Sequence, residues 1–287
     1  MASQAARDLI WAINSPSLIC TPQEHSVDWP NCDRADFSAE ELEEFIARHA
    51  QHRVGRYFES LVHFYLKTIR EFEIVEQSLQ IQEEGRTIGE LDFLYRNSDG
   101  ELHHCETAVK FYLFTPNSNA SGSHFIGPNA ADNFERKTKR LFDHQLKLSE
   151  SRFSAVEKRE AFVKGRIFYH PILPPPDHLP DLLASNHLRG IWFRESELDL
   201  LRSLGKETRF RLARKPHWLA EAQVKPHGSE QNNPELQTTE KICLALKQNF
   251  QQRRTPQLIN ALFYDGNFWQ ESDRIFVVSD GWPNETL

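Results

Sequence analysis

The stretch Gly89-Glu90-Leu91-Asp92-Phe93-Leu94-Tyr95 alternates acidic and apolar residues. The turn sequence Asn97-Ser98-Asp99-Gly100 follows, and then a β-branched and aromatic run from Cys105 to Leu113. Strand formers on both sides of a Gly/Asn/Asp cluster predict a β-hairpin. A three-residue loop, Ser98-Asp99-Gly100, with Gly100 in the left-handed conformation, is one of the common hairpin connections. It pairs Asn97 with Glu101, and therefore Asp92 with Glu106, Glu90 with Ala108 and Ile88 with Lys110. Opposed residues share a face of a sheet, so Glu90, Asp92, Glu106 and Lys110 are expected on one face. Leu91, Phe93, Thr107, Val109 and Phe111 are expected on the other. A two-residue loop would shift the pairing by one and break this coincidence.

Carboxylates gathered around one ammonium, with an apolar face behind them, have two readings. One is a solvated edge hairpin, its charges turned to water in the ordinary polar-out alternation. The other is a divalent-cation site. Oxygen ligands favour Mg²⁺, with Mn²⁺ as its substitute, over Zn²⁺. A lysine beside such a site suits the positioning of a water or the stabilisation of charge on a phosphate. That chemistry is phosphodiester hydrolysis. A third arrangement, a metal site at His103, His104 and Cys105, is disfavoured because adjacent strand residues point to alternate faces.

The 287 residues exceed the roughly 100–200 typical of one domain, and 39% apolar content with 20 phenylalanines supports a substantial core. A net charge of −7 argues against a general nucleic-acid binder and leaves room for a local basic patch. Cys20, Cys32, Cys105 and Cys243 form no CxxC pair, which fits a reducing compartment. No segment approaches the roughly 18 apolar residues of a membrane span, and the first residues carry no signal-peptide pattern. The expectation is a cytoplasmic protein without membrane contact.

Around the hairpin, hydrophobic spacing predicts a short helix within residues 5–20 that docks through Trp11. A second helix starts at Ser38, with Glu41 completing a capping box. A third runs from about Val54 to Phe72, with Glu59 at the edge of its apolar stripe. The first strand spans Ile74–Ile81. Thr115 to Pro128, rich in Asn, Ser and Gly, is a candidate mobile loop beside the site. A helix over Asn129–Leu148 carries Arg136, Lys137, Lys139, Arg140, Gln145 and Lys147, a basic face suited to solvent or to phosphates. Strands are expected at Gly165–Tyr169, Gly190–Phe193 and Arg274–Val278, and helices at Glu195–Leu204 and Thr239–Phe250. Pro174-Pro175-Pro176 marks a boundary, giving a division into 1–172 and 173–287. Residues 206–217 mix Lys206, Arg209, Arg211, Arg214 and Lys215 with Phe210, and Trp218 follows. Such a mixture can track a phosphate backbone while stacking bases, or be an exposed charged strand. Residues 222–238 read as a linker.

The order of first-helix Glu, strand, Gly-Glu-Leu-Asp strand, turn, Glu…Lys strand and a Gln-bearing helix resembles the PD-(D/E)XK nuclease superfamily. Over its whole length the chain resembles a bacterial group, the domain of unknown function 1853 family. The resemblance rests on Asp8-Leu9-Ile10-Trp11-Ala12 with Ser15-Pro16-Ser17-Leu18, on Gly55-Arg56-Tyr57-Phe58-Glu59, and on Gly89-Glu90-Leu91-Asp92. It rests also on Glu106 through Leu113, Gly127-Pro128-Asn129 and His144-Gln145-Leu146. It implies an α/β fold, a restriction-endonuclease-like mixed sheet flanked by helices with a C-terminal α/β extension. It implies that Asp92 binds metal, that Glu106 is the second acid and Lys110 the lysine, and that Glu59 and Gln145 support them. Nucleic acid, DNA or RNA, is the implied partner.

The sequence departs from that pattern at one position. The acid normally two residues before the lysine is Ala108, and Glu106 lies four before. At about 3.3 Å per residue, Glu106 and Lys110 are about 13 Å apart along the strand instead of about 7 Å. Glu90, opposite Ala108 in the register above, is the candidate for the missing carboxylate and a third metal ligand. A non-catalytic nucleic-acid-binding or assembly protein that keeps the fold is the alternative reading.

Overall fold

The computed structural model describes residues 2–49, 52–116, 123–150, 152–226 and 233–284. Its helices begin where the sequence offers caps. Ser3 Oγ accepts the Ala6 N–H at the start of α1 (Gln4–Asn14), and Ser38 Oγ accepts the Glu41 N–H at the start of α2 (Ala39–Arg48). Helix α3 (Val54–Phe64) widens into a π-helical turn over Tyr65–Ile69. Strands β1 (Glu73–Glu83), β2 (Arg86–Arg96) and β3 (Leu102–Phe114) follow, with the short β4 (Phe125–Ile126) folded back on β3. Asn133 caps α4 (Phe134–Arg140), which continues through a π-helical turn at Leu141–Gln145 and a 3₁₀ turn at Leu146–Ser149. Then come β5 (Val156–Tyr169), β6 (Leu188–Arg194), a 3₁₀ stretch over Glu195–Leu204, β7 (Arg209–Leu212) and β8 (Gln223–Val224). The chain closes with α5 (Thr239–Gln252), β9 (Gln257–Tyr264) and β10 (Trp269–Val278).

All the described strands join one ten-stranded mixed sheet in the order β1-β2-β3-β5-β6-β10-β9-β7, with β4 on β3 and β8 on β10. The central steps β3–β5, β5–β6 and β6–β10 are parallel. The sheet passes across the proline run, since β5 before it pairs with β6 after it. Helices cover both faces. Phe93, Tyr95, Cys105 and Val109 pack with Tyr57, Phe58, Leu61 and Trp11 of α1 and α3. Ala108 and Tyr112, of opposite parity on β3, pack with Phe134 and Leu141 of α4. A further core lies under α5, where Ile242, Leu246 and Phe250 meet Ile259 and Ile275. No described helix is long and apolar enough to cross a membrane.

Several expectations need correction. Strand β5 starts at Val156, well before Gly165, because its first half is covered on both sides and carries buried Glu160 and Lys164 that disguise it as polar. The α4 helix starts at Phe134, after an Asn133 cap, so residues 129–132 are loop. Only Arg209–Leu212 of the basic stretch is strand, and β9 carries no signal that was recognised. Parts of the 115–128 loop and of the 222–238 linker lie outside the described residues, as does the end of the second helix at Ala50.

Gly165 fixes how β5 meets β3. It stands opposite Lys110 with φ of +154°, and a Cβ built there would collide with the Lys110 carbonyl oxygen. Both the conformation and the space exclude a side chain. Gly165→Ala is therefore expected to destabilise the fold by about 2 kcal/mol or more, the range for overpacking at a site that cannot relax. Denaturant titration measures this, and an unchanged midpoint would contradict the account.

Candidate active site

The hairpin turn is as its residues dictate. Gly100 is left-handed, with φ of +83°, the Gly100 N–H reaches Asn97 O, and Asn97 N–H reaches Glu101 O. The register follows from Arg96–Leu102 to Phe93–Cys105, as counting from a three-residue loop predicts. There the paired ladder stops. The expected pairs Asp92–Glu106, Glu90–Ala108 and Ile88–Lys110 do not form.

Side chains take over the hydrogen bonds that the ladder gives up. Asp92 Oδ2 accepts the Thr107 backbone N–H at 2.8 Å and the Thr107 hydroxyl at 3.3 Å. Glu106 Oε1 accepts the Asp92 N–H at 3.4 Å. The Glu90 carbonyl accepts from Gln145 Nε2 at 3.3 Å, and the Ile88 carbonyl faces His144 Nε2 at 2.9 Å. Four backbone groups along the opened edge, on Ile88, Glu90, Asp92 and Thr107, thus have side-chain partners in place of strand ones. On the other edge of β2, Ser78 has φ of +52° between the Gln77–Phe93 and Leu79–Leu91 pairs, opposite Asp92. Strain of this kind in a non-glycine residue collects at functional sites.

The opened seam forms the wall of a cleft of about 350 Å³. Asp92, Glu106, Lys110, Glu59 and Gln145 all line it, with Lys137 and Arg140 of α4 among the facing residues. The structure thus brings together the five residues singled out as catalytic. Leu18 and Ile19 reach it because the Leu18 N–H bonds Val163 O, so the N-terminal segment completes the wall.

Glu106 is 5% exposed and held from three sides: by the Asp92 N–H, by His104 Nε2 at 2.9 Å on Oε1, and by Gln145 Nε2 at 3.2 Å on Oε2. His104 Nδ1 lies 3.0 Å from Ser149 Oγ, which accepts from Arg159 Nε at 3.1 Å. With Glu106 as the acceptor, Nε2 carries a proton, and Ser149 holds the other side of the ring. His104 therefore orients the acid as outer partners orient metal ligands. His103, in contrast, turns to Tyr95 and Glu160, and Cys105 lies in the α3 core, so these three neighbours build no common site.

Glu90 does not fill the gap at Ala108. Its Oε1 binds Arg56 Nη2 at 3.0 Å, while Arg56 Nη1 takes Glu59 Oε2 at 2.7 Å and Ser78 Oγ at 3.1 Å. Glu90 is not among the residues that line the cleft. The strict alternation used to place it breaks at Asp92: Leu91 packs with Leu94 and Leu148, whereas Phe93 packs under α3. The Glu90 carboxylate is instead engaged by Arg56, and its charge reaches Asp92.

Crowding sets the electrostatics. Burial, and then the charges of Glu106, Glu59 and Glu90, hold the Asp92 pKa well above its ordinary value, against the Thr107 N–H. Burial also raises Glu59, with Arg56 opposing. Burial lowers Lys110, opposed chiefly by Asp132, whose Oδ2 lies 3.9 Å from both Lys110 Nζ and Lys137 Nζ. Gly127 allows this approach, because a Cβ there would strike Asp132 Oδ1.

Among the described residues, no three His, Cys, Asp or Glu side chains are grouped to hold a metal ion. Any cation would rest on Asp92 and Glu106, with water or substrate oxygens completing its shell. That matches Mg²⁺, which commonly takes one or two carboxylates from the protein. The donor set fits. Asp92 Oδ1 has no protein donor among the described residues, and Gln145 Oε1 is buried without a hydrogen-bond partner. The Gln145 amide cannot simply be reversed, because its Nε2 already serves Glu106 and the Glu90 carbonyl.

Asp132, 22 positions from Lys110, goes unmarked in the sequence reading, which gives neither Arg56 its role of pairing Glu59 and Glu90 nor His104 its role of holding Glu106. Lys137 and Arg140 had been noted only as part of a basic face. The Gly127 of the quoted motif was the available signal for Asp132. A family model described as "Domain of unknown function (DUF1853)" matches residues 7–278. No curated protein and no solved structure matches the chain.

With its pKa raised, Asp92 binds its proton more tightly in the folded than in the unfolded state. The resulting stability is complete below the ordinary Asp range and is lost as pH rises through the raised value. Asp92→Asn keeps an acceptor for Thr107 and removes the charge. In the absence of divalent cations it is expected to melt higher than wild type at neutral pH, by roughly 2–4 °C for each kcal/mol gained. The difference should vanish below about pH 3, where Asp is protonated in both states. Equal melting temperatures at neutral pH would contradict this.

Proposed function

The chain belongs to the DUF1853 family, and we propose that it is a divalent-cation-dependent phosphodiesterase acting on nucleic acid, built on a restriction-endonuclease-like PD-(D/E)XK core. One observation carries the reading: an acidic pair, half-buried Asp92 and buried Glu106, shares a cleft with Lys110, Lys137 and Arg140. Carboxylates alone would repel a phosphate, and cations alone would bind it without chemistry. The two together suit a bound cation and a phosphodiester in contact with each other.

A bound Mg²⁺ or Mn²⁺ would supply Lewis-acid stabilisation of phosphate charge and a more acidic water. The protein's own residues do the rest. Asp92, pinned by Thr107, and Glu106, pinned by His104 and Gln145, present fixed oxygens. Lys137 and Arg140 hold the phosphodiester against them. Lys110 donates to the phosphoryl oxygens as charge accumulates, or takes a proton from the attacking water, and its lowered pKa assists the second role. Arg56 neutralises Glu59 and Glu90, so that they support the site without adding uncompensated charge.

A second reading is favoured by a specific observation: Ala108 occupies the ordinary acid position, and Glu90 is engaged by Arg56. In that reading the protein binds nucleic acid and does not cut it. End-labelled single- and double-stranded DNA and RNA, incubated with the protein in Mg²⁺, Mn²⁺ or EDTA, separate the two. The proposal predicts cation-dependent cleavage that falls by about 10²–10³ in Lys110→Ala, the magnitude for loss of one transition-state electrostatic group, and at least as far in Asp92→Asn. Binding without cleavage by wild type would support the second reading. Cleavage unaffected by both substitutions would sink the assignment of the site.

A further inference from the structure

We infer that a second cleft, adjoining the first at Lys110, is a subsite for an unpaired nucleotide of a single nucleic-acid strand. The inference rests on the reading that nucleic acid occupies the acidic cleft. The second cleft measures about 680 Å³, and Lys110 lines both. Its cations are Lys110, Arg53, Arg214 and Lys215; its aromatic floor includes Phe111 and Trp218; among the described residues no carboxylate lines it. In a chain of net charge −7, such a cavity selects an anion.

The floor narrows the choice of anion. Lys215 Nζ sits 4.8 Å from the centre of the Trp218 ring, and Lys215 is an exposed residue. A flexible, solvated cation therefore rests where a planar base could stack. Aromatic rings beside a basic groove suit splayed bases of single strands, whereas bases stacked within a duplex are out of reach. The volume is of the order of small-ligand pockets, roughly 300–1,000 Å³, enough for a nucleotide and too small for a helix.

The platform is rigidly mounted. Trp218 Nε1 donates to Ala213 O, and buried Arg274 donates to the Trp218 carbonyl at 2.5 Å and the Leu219 carbonyl at 2.7 Å. Buried Asp8 takes the Ala220 N–H at 2.9 Å and the Tyr57 hydroxyl at 3.0 Å, which ties this segment to α1 and α3. Arg214 also lines a third cleft, with Arg211 and His217. A strand with its scissile phosphate at Asp92 and Glu106 would thus pass Lys110, lay a base against Trp218 and continue along Arg214.

Fluorescence anisotropy in EDTA, with labelled oligothymidylate, oligouridylate and a blunt DNA duplex, tests this without requiring cleavage. Strands should bind more tightly than duplex. Trp218→Leu and the double substitution Arg214→Ala/Lys215→Ala should each weaken strand binding by about tenfold, within the range for loss of one base–aromatic stack. The double substitution alters exposed side chains only, so it carries the test should Trp218→Leu misfold. Wild-type affinity in the double variant, or tighter binding of duplex than of strand, overturns the inference. Preference between oligothymidylate and oligouridylate identifies DNA or RNA. The two proposals fail separately: strand binding lost in these variants with no cleavage by wild type defeats the nuclease reading alone, and cleavage with unchanged KM in these variants defeats the subsite alone.

Discussion

The structure depends on the point where β2 and β3 stop pairing. Beyond Phe93–Cys105 the two strands have no ladder, and the carboxylate of Asp92 occupies the seam by accepting the Thr107 N–H. A backbone donor that would otherwise face a strand carbonyl is satisfied by a charged acceptor, which is a stronger bond than the one it replaces. The carbonyls left on β2 are met by Gln145 and His144, so the helix after α4 is fastened to the opened edge. The π-helical turn that places Gln145 there belongs to the same arrangement. Cleft, acid pair and helix register are consequences of one interruption in a sheet.

The interruption also concentrates charge. Burial, and then the charge of the nearby Glu106, disfavour the ionised state of Asp92. The structure compensates selectively. Arg56 pairs Glu59 and Glu90, His104 and Gln145 steady Glu106, and Asp132 divides its charge between Lys110 and Lys137. Asp92 receives two Thr107 donors, and among the described residues no cationic side chain forms an ion pair with it. An acid kept under such tension, while its neighbours are compensated, is what a cation-binding function would require.

Much of this was legible along the chain. Asn97 and Gly100 dictate the turn, the turn dictates the register, and the register correctly predicted the pairs down to Phe93–Cys105. The capping residues Ser38 and Glu41 marked α2, and helical spacing marked α1 and α3. The failures have a common cause. Counting along a hairpin assumes regular alternation, and a side chain inserted in the ladder ends it; Leu91 and Glu90 were misplaced for that reason. The partner of Glu90 is Arg56, 34 positions away, and that of Glu106 is Gln145, 39 away. No local periodicity reports such contacts. The early part of β5 was hidden because buried Glu160 and Lys164, each satisfied by distant partners, read as surface residues. The sheet establishes a mixed α/β architecture.

The central claim is that Asp92 and Glu106 together hold a divalent cation. Anomalous diffraction from crystals soaked in Mn²⁺ tests it most directly, since it locates the ion without reference to activity. The account predicts a peak within bonding distance of both carboxylates, on the side of Asp92 Oδ1 and Gln145 Oε1, and no peak in Asp92→Asn. A fully soaked crystal with no ion between these two acids, or with one bound elsewhere in the cleft and indifferent to Asp92→Asn, would contradict it.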